Sequence, residues 1–476
     1  MKGLLLLLTL ALTFMGKAQV TQVCFKNHTI QQALGSTSRK AITLNANNDA
    51  FMDFAVANNV SGNVSVYIGN GSAFATMTNT ITTHSPYGLA AGDFNSDGNN
   101  DLLITNGTSN TISLRLGNGT GIFGTPTNFT VSTNPQSVDV GDFNLDGKLD
   151  FANTNYFGDN VTVCLGNGAG SFSPAVSYTF GGINTQPRTI KAADVNNDGN
   201  LDLLAVRGSA TAYLSVLIGS ATGTFAPPVN YSLTTNTPFD LTINDFNGDG
   251  NKDAIVSSGS SGTINVLLGS STGTFSSPGT ITAPSQVYGL ISGDMNNDGN
   301  KDFVATDWSS GSNIRTYYGN GNGTFTYINS FNPSQVNNWS IAAADFDNNG
   351  YLDFVLTTGV SAGNTARVVW NHPTPTVSIA SSASLICVGQ NVSLTGTGAS
   401  TYSWSTGATS SSITVTPTIT TSYSVVGTST ANCASNAAFT LSVSACTNIN
   451  EINNTQEFFV YPNPLRNNLH IESNEP

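Results

Sequence analysis

Charge is scarce in this chain, and each shortage excludes something. Only 9% of the residues are charged, and Lys and Arg together number 15 in 476. Nucleic-acid binders carry clustered basic side chains, so no nucleic-acid partner is expected. The four histidines, His28, His84, His372 and His470, are scattered without triad or metal-type spacing, which leaves no catalytic constellation to assign. Beyond the first residues no apolar run is long enough for a membrane span, so none is expected in the mature chain. Few charges with 48 glycines and frequent Asn, Ser and Thr make a composition of short strands and turns, not of helices.

Aspartate, in contrast, recurs with a fixed rhythm. Asp142-Phe143-Asn144-Leu145-Asp146-Gly147-Lys148-Leu149-Asp150 offers oxygen ligands at positions 1, 3, 5 and 9 and a glycine at position 6. Asp93, Asn95, Asp97 and Asp101 repeat it, as do Asp194, Asn196, Asp198 and Asp202. Asp245, Asn247, Asp249 and Asp253 follow, then Asp294, Asn296, Asp298 and Asp302. Asp345, Asp347, Asn349 and Asp353 exchange one Asp with one Asn. The earliest copy is eroded: Asn45, Asn47, Asp49, Ala50 and Asp53 lack the first carboxylate and the glycine. Calcium takes six to eight hard oxygen ligands, and such a loop supplies carboxylates, amides and a main-chain carbonyl around a glycine turn. Twenty of the 28 acidic residues lie in the seven loops, so the net charge of −13 is local and ligand-related. An EF-hand would need a glutamate at position 12, and all four glutamates lie beyond Asn450.

In chain order, Met1 to Ala18 is expected to be a secretory signal: Lys2 is the positive end, Leu4 to Met15 the apolar run, and Gly16-Lys17-Ala18 the cleavage pattern. From residue 19 to 372 the loops recur every 48 to 52 residues, each preceded by one short apolar strand and followed by three more. Four strands per period of about 50 residues is the signature of a propeller blade. The turn aromatics Phe123, Phe172, Phe225, Phe275 and Phe325 are expected to pack between blades. Val23 to Leu34 is expected to complete the seventh blade, since the last repeat runs into Pro373 and a closed ring removes exposed edges. Cys24 and Cys164 are expected to be unpaired.

The loop and the downstream turn Leu116-Gly117-Asn118-Gly119-Thr120-Gly121-Ile122-Phe123 resemble the FG-GAP or VCBS repeats that also build the integrin α-subunit headpiece. The resemblance implies a seven-bladed β-propeller with calcium between the first two strands of most blades. Residues 373–446 alternate Ser and Thr with apolar residues and resemble a small Ig-like or PKD-like module. Cys387, Trp404 and Cys433 are arranged like the disulfide and core Trp of an immunoglobulin sandwich, which implies a Cys387–Cys433 bridge; Cys446 is a rival partner for either. Residues 447–476 hold Tyr461-Pro462-Asn463-Pro464 and resemble the opening of a type A sorting domain of type IX secretion, which implies export machinery as a partner. The expected protein is therefore all-β, a propeller followed by an Ig-like sandwich, secreted or at the outer cell surface, and a monomer. It is expected to act as an adhesion or ligand-binding module for a glycan or protein. The alternatives are a polysaccharide lyase or hydrolase built on the propeller, for which Asp307-Trp308 is the pair to watch, and a structural spacer.

Overall fold

The computed structural model describes residues 23–29, 37–81, 85–208, 211–234, 237–276, 279–283, 286–308, 313–332, 337–358, 366–446, 458–461 and 470–473. The expected signal sequence, residues 1–18, lies outside them, as do Pro462, Asn463 and Pro464. The chain divides into two compact units, Met1–Thr374 and Pro375–Pro476.

The first unit is a ring of seven four-stranded antiparallel sheets. Blade one runs Ser38–Leu44, Asp53–Asn58, Asn63–Gly69 and Phe74–Ile81, and the later blades repeat that order. The second strand of each blade is apolar on both faces because blades cover it from both sides; Phe54, Ala55, Val56 and Ala57 have no exposed surface. The inner strands adjoin one another around a full circle. The first meets the seventh, where the Ala41 N–H donates to Ser340 Oγ at 3.3 Å. Closure is as the sequence predicts: Val23–Thr29 pairs antiparallel with Ala366–Pro373, from Val23 opposite Pro373 to Thr29 opposite Arg367. That strand completes the seventh sheet outside Asn338–Ala344, Asp353–Thr358 and Ala366–Pro373. The rest of the predicted closing segment, residues 30–34, lies outside the described residues.

The core consists of apolar layers between neighbouring blades. Phe172 of blade three meets Phe94 of blade two edge-on at 5.7 Å, Phe225 meets Phe143 at 5.7 Å, and Phe325 meets Phe246 at 5.5 Å. Phe123 and Phe275 occupy the same place against Ala46 and Val195. At the closure Phe74 meets Phe346 at 5.2 Å, so blade one seals blade seven with the same device. Each turn aromatic thus locks the loop of the preceding blade, and truncating one to Ala would cost about 3–5 kcal/mol.

The second unit packs a three-stranded sheet, Ser378–Ser381, Val392–Thr397 and Ser412–Val415, with a four-stranded one, Leu385–Cys387, Ala434–Ser444, Thr421–Thr428 and Thr401–Trp404. Leu394, Trp404, Val425 and Leu441 fill the space between them. Trp404 is a core residue; its indole N–H donates to the Ser410 carbonyl at 2.9 Å. The expected Cys387–Cys433 bridge is not the one formed: Cys387 joins Cys446, with Cα atoms 5.3 Å apart. Strand register is the reason. Leu385–Cys387 runs parallel to the end of Ala434–Ser444, with Cys387 opposite Ser444, two residues short of Cys446. Cys433 precedes that eleven-residue strand, about 37 Å from its far end at ~3.4 Å per residue, far beyond bridging distance. Cys433 is disulfide-bonded elsewhere, and so is Cys24, contrary to the expectation that it is free. Cys164 is free and buried.

Candidate functional site

Each of loops two to seven is a turn built by its own aspartates. The first carboxylate folds inward, and its Oδ2 accepts the N–H of the position-six glycine, at 2.8 Å in Asp93 and Asp194 and 2.7 Å in Asp142. Asp245, Asp294 and Asp345 do the same at 2.7–2.9 Å. The glycines Gly98, Gly147, Gly199, Gly250, Gly299 and Gly350 have φ between 80° and 94°. Open space surrounds them, so backbone conformation and not crowding selects glycine. A feature missed in the sequence is a second left-handed residue at position four: Ser96, Leu145, Asn197, Gly248, Asn297 and Asn348 all have positive φ. The preference for Asn and Gly there was the available signal.

The position-nine aspartates do something different. Asp53, Asp101, Asp150, Asp202, Asp253, Asp302 and Asp353 are all completely buried. In Asp150, Oδ2 accepts the Phe143 N–H at 2.8 Å and Oδ1 accepts the Gly166 N–H at 2.6 Å. The same pair of bonds recurs in every blade, from Ala46 and Gly69 to Asp53 through Phe346 and Asn371 to Asp353. This residue therefore ties the loop to the end of the third strand. Burial pushes its carboxyl up: Asp101 to about 6, Asp302 to about 7 and Asp353 to about 8. The loop carboxylates add to the rise in all three, those at positions five and one for Asp101 and Asp302 and those at positions three and one, Asp347 and Asp345, for Asp353.

At position five, Asp198 and Asp249 are held below the usual carboxylate range, first by the N–H groups of Asn200 and Asn251. For Asp97 the Asn95 amide is the leading cause, at 2.8 Å from Oδ2. Asn196, Asn247 and Asn296 reach Asp198, Asp249 and Asp298 at 2.9–3.0 Å, and the Asp146 N–H donates to Asn144 Oδ1 at 3.2 Å. In the seventh loop, oxygens of Asp345, Asp347 and Asp353 lie within 4.8 Å of one another. Asn349 Nδ2 donates to Asp347 Oδ2 at 3.2 Å and to His372 Nδ1 at 3.0 Å. Three gathered carboxyls and an amide make a donor set that fits a hard divalent cation in the seventh loop, and loops two to six carry the same residue types, three carboxylates and one amide, at the same four positions. Positions one, three, five and nine would hold it, and the ion would neutralise their mutual repulsion. In the first loop Asn45 Nδ2 donates to the Asp49 carbonyl and Asn47 Nδ2 to Asp49 Oδ2, both at 2.6 Å, while Asn45 Oδ1 is buried without a hydrogen-bond partner. Ala50 is not left-handed there, which leaves Asn48 as the turn residue.

The loops share one face of the ring, since each follows the C-terminal end of an inner strand. The opposite ends, about 20 Å away for a seven-residue strand, frame the mouth of the central channel. Every inner strand carries a bulge at that end, four of them just after a proline. Bulges re-aim side chains. The residues displaced from pairing include Arg39, Tyr87, Gln136, Arg188, Phe239, Tyr288 and Trp339, one from each blade, and all are half-buried. Trp339 contacts Phe239, Tyr288 and Trp308 with ring centroids 5.2, 5.0 and 4.9 Å away. The Arg39 guanidinium lies 3.8 Å over the Trp339 ring, and Arg188 lies 5.0 Å from Tyr156 and 5.3 Å from Phe239. Of these, Arg39, Tyr87, Gln136, Tyr156, Arg188, Phe239 and Trp339 line a cavity of about 390 Å³, with Tyr288 and Trp308 packed against Trp339. Below it a channel cavity of about 520 Å³ contains Lys40, Asp139, Lys191 and Asp240.

Of the pair Asp307-Trp308, only Trp308 reaches the mouth cluster. Asp307 is buried and accepts two bonds from Arg315, the nearer at 2.7 Å. No helix among the described residues is long and apolar enough to cross a membrane.

Repeated sheets around a channel, each with an aspartate loop after its inner strand, define a seven-bladed β-propeller. The chain belongs to the FG-GAP-like repeat family, which matches six times over residues 45–104, 93–153, 150–205, 194–256, 245–305 and 294–356. No curated protein matches the sequence. Among solved structures, BBS1N in complex with ARL6DN is similar in fold, at 11% identity and a TM-score of 0.52 over 74% of this chain and 97% of that one. An Agrocybe aegerita lectin that recognises non-reducing terminal N-acetylglucosamine matches at 18% identity, TM-score 0.46, over 70% and 86% of the two chains. A functionally unknown protein from Desulfotomaculum acetoxidans matches at 9% identity, TM-score 0.47, over 62% and 86%.

Proposed function

We propose that the protein is an exported, monomeric recognition module whose propeller is clasped by calcium on one face and takes its ligand, a glycan or a protein, at the opposite mouth. One observation carries this reading: all seven inner strands are bulged at this end, and in six of them the displaced side chains, Arg39, Tyr87, Gln136, Arg188, Phe239 and Trp339, line a single cavity. A concave site with aromatic walls and a few polar groups is the usual form of a small-ligand site. Secretion rests on Met1 to Ala18, and engagement of export machinery on the C-terminal segment with its Tyr461-Pro462-Asn463-Pro464 motif. Calcium has a structural role in this account, replacing the mutual repulsion of the loop carboxylates with ligation.

Recognition is favoured over turnover by the state of the acids near the mouth. Asp240 is the one carboxylate among the residues lining the cavity, and its two oxygens accept the Leu241 and Leu290 N–H groups, each at 3.0 Å. A glycosidase of the usual kind needs two carboxyls flanking the bond it cleaves. The test is to screen the purified full chain in calcium against immobilised glycans and proteins, alongside Trp339→Ala, with analysis of any released product. Binding without product, lost in Trp339→Ala, is expected. Released product would replace the reading with an enzymatic one, and binding indifferent to Trp339 would place the ligand elsewhere.

A further inference from the structure

The mouth reverses the sign of the molecule. The chain carries a net charge of −13 and only 15 Lys and Arg. Three of these, Arg39, Lys40 and Arg188, line one cavity of about 390 Å³ whose lining includes a single carboxylate. Among the described residues neither arginine forms an ion pair. Arg39 Nε is buried without a hydrogen-bond partner. Arg188 has one neutral contact, Nη2 to Tyr156 Oη at 3.3 Å. Both guanidinium groups sit over aromatic rings, which leaves their N–H edges available for an anion. Two unpaired cations are drawn together at a cost that an anionic ligand would relieve.

Resting on the recognition reading above, we propose that the mouth binds an acidic saccharide, a uronate-bearing oligosaccharide whose carboxylates are held by Arg39 and Arg188 and whose ring faces lie on the aromatic wall. A planar guanidinium meets a carboxylate through two parallel N–H bonds, and this fork selects carboxylate geometry over a point charge. The flat rings of Trp339, Phe239 and Tyr87 match the C–H face of a pyranose, while Phe157, 67% exposed, extends the wall at the cavity's edge. Asn134, Gln136 and Ser137 supply the amides and hydroxyl that ring hydroxyls need. A free phosphate or sulfate would use the cations and leave the aromatic wall without a role. An acidic peptide carries its carboxylate on a flexible stem, whereas a sugar acid fixes it at the ring edge, so that fork and face engage at once. Binding then loses less conformational freedom.

Calorimetry on the full calcium-loaded chain tests this with oligomers of galacturonate, glucuronate and mannuronate, neutral oligosaccharides of equal length, and a hexaglutamate peptide. The expected result is that at least one uronate oligomer binds about tenfold or more tightly than its neutral counterpart, because charge-assisted bonds are roughly twice as strong as neutral ones. Arg39→Gln and Arg188→Gln should each weaken it about tenfold, Trp339→Ala should abolish it, and Arg39→Lys should recover part of the loss. Melting curves of each variant confirm folding. Equal binding of neutral and acidic sugars, dependent on Trp339 but not on the arginines, overturns the acidic class and leaves mouth recognition standing. Arginine-dependent binding of the peptide alone overturns the saccharide class. Uronate binding that survives both Arg39→Gln and Trp339→Ala overturns the proposal and the mouth reading together, and no binding by any probe overturns the proposal alone.

Discussion

Replacing Asp150 with Ala separates two roles that one loop sequence merges. Its carboxylate is completely buried and accepts two main-chain N–H groups, from Phe143 at 2.8 Å and Gly166 at 2.6 Å. Losing the acceptor leaves both donors buried without partners, each at about 1–3 kcal/mol, so the cost is about 2–6 kcal/mol. The lower half of that range is expected, because burial already raises the Asp150 pKa and removing a strained carboxylate returns part of the loss. Bound calcium adds less per loop. With a Kd of about 10⁻⁴–10⁻³ M, millimolar calcium stabilises by about 0.4–1.4 kcal/mol per site. Asp150→Ala should therefore lower the urea midpoint even in chelator. Asp146→Ala, whose carboxylate sits on the exposed side of the same loop, should act chiefly in calcium. Unfolding followed by tryptophan fluorescence with and without chelator reads both. If the two substitutions had equal effects in chelator, position nine would be a ligand only and the clasp would be wrong.

Stability without calcium should fall as pH rises from about 4 to 8. Burial holds Asp302 at about 7 and Asp353 at about 8, so the folded chain keeps protons that the unfolded chain releases near its ordinary 3.8. Stability is then greatest below the unfolded value and is lost as pH passes the folded ones. Saturating calcium should flatten the slope, and a chelated protein more stable at pH 8 than at pH 5 would contradict it. Peptide mapping without reductant should recover Cys387 joined to Cys446; Cys446→Ala should destabilise the second unit by up to about 4 kcal/mol, the loop-closure value for a separation of 59 residues, and a Cys387–Cys433 peptide would refute the assignment.

Much of the propeller was legible because its signals are periodic. The loops set blade number, and Pro373 after the last apolar strand marked a blade in need of an outer strand, which Val23–Thr29 supplies. The disulfide was not legible, since Cys433 and Cys446 differ only in which end of an eleven-residue strand they flank, and register decides it. The double role of position nine escaped as well: one aspartate spelling covers both an inward ligand and a buried clasp, and only burial separates them. The mouth was hidden for a different reason. Arg39, Tyr87, Gln136, Arg188, Phe239, Tyr288 and Trp339 share no chemistry, so no repeat consensus flags them; they share a bulge, which is a property of pairing.

The count of bound calcium tests the account at its centre. Loops two to seven combine an inward first carboxylate with a left-handed glycine, while the first loop has Asn45 in place of that carboxylate and Ala50 in place of the glycine. Metal analysis of the full chain after equilibrium dialysis at saturating calcium should find six ions per chain, falling to five in Asp142→Ala. A chain that retains no calcium, or whose melting ignores both calcium and chelator, would contradict the assignment of these loops.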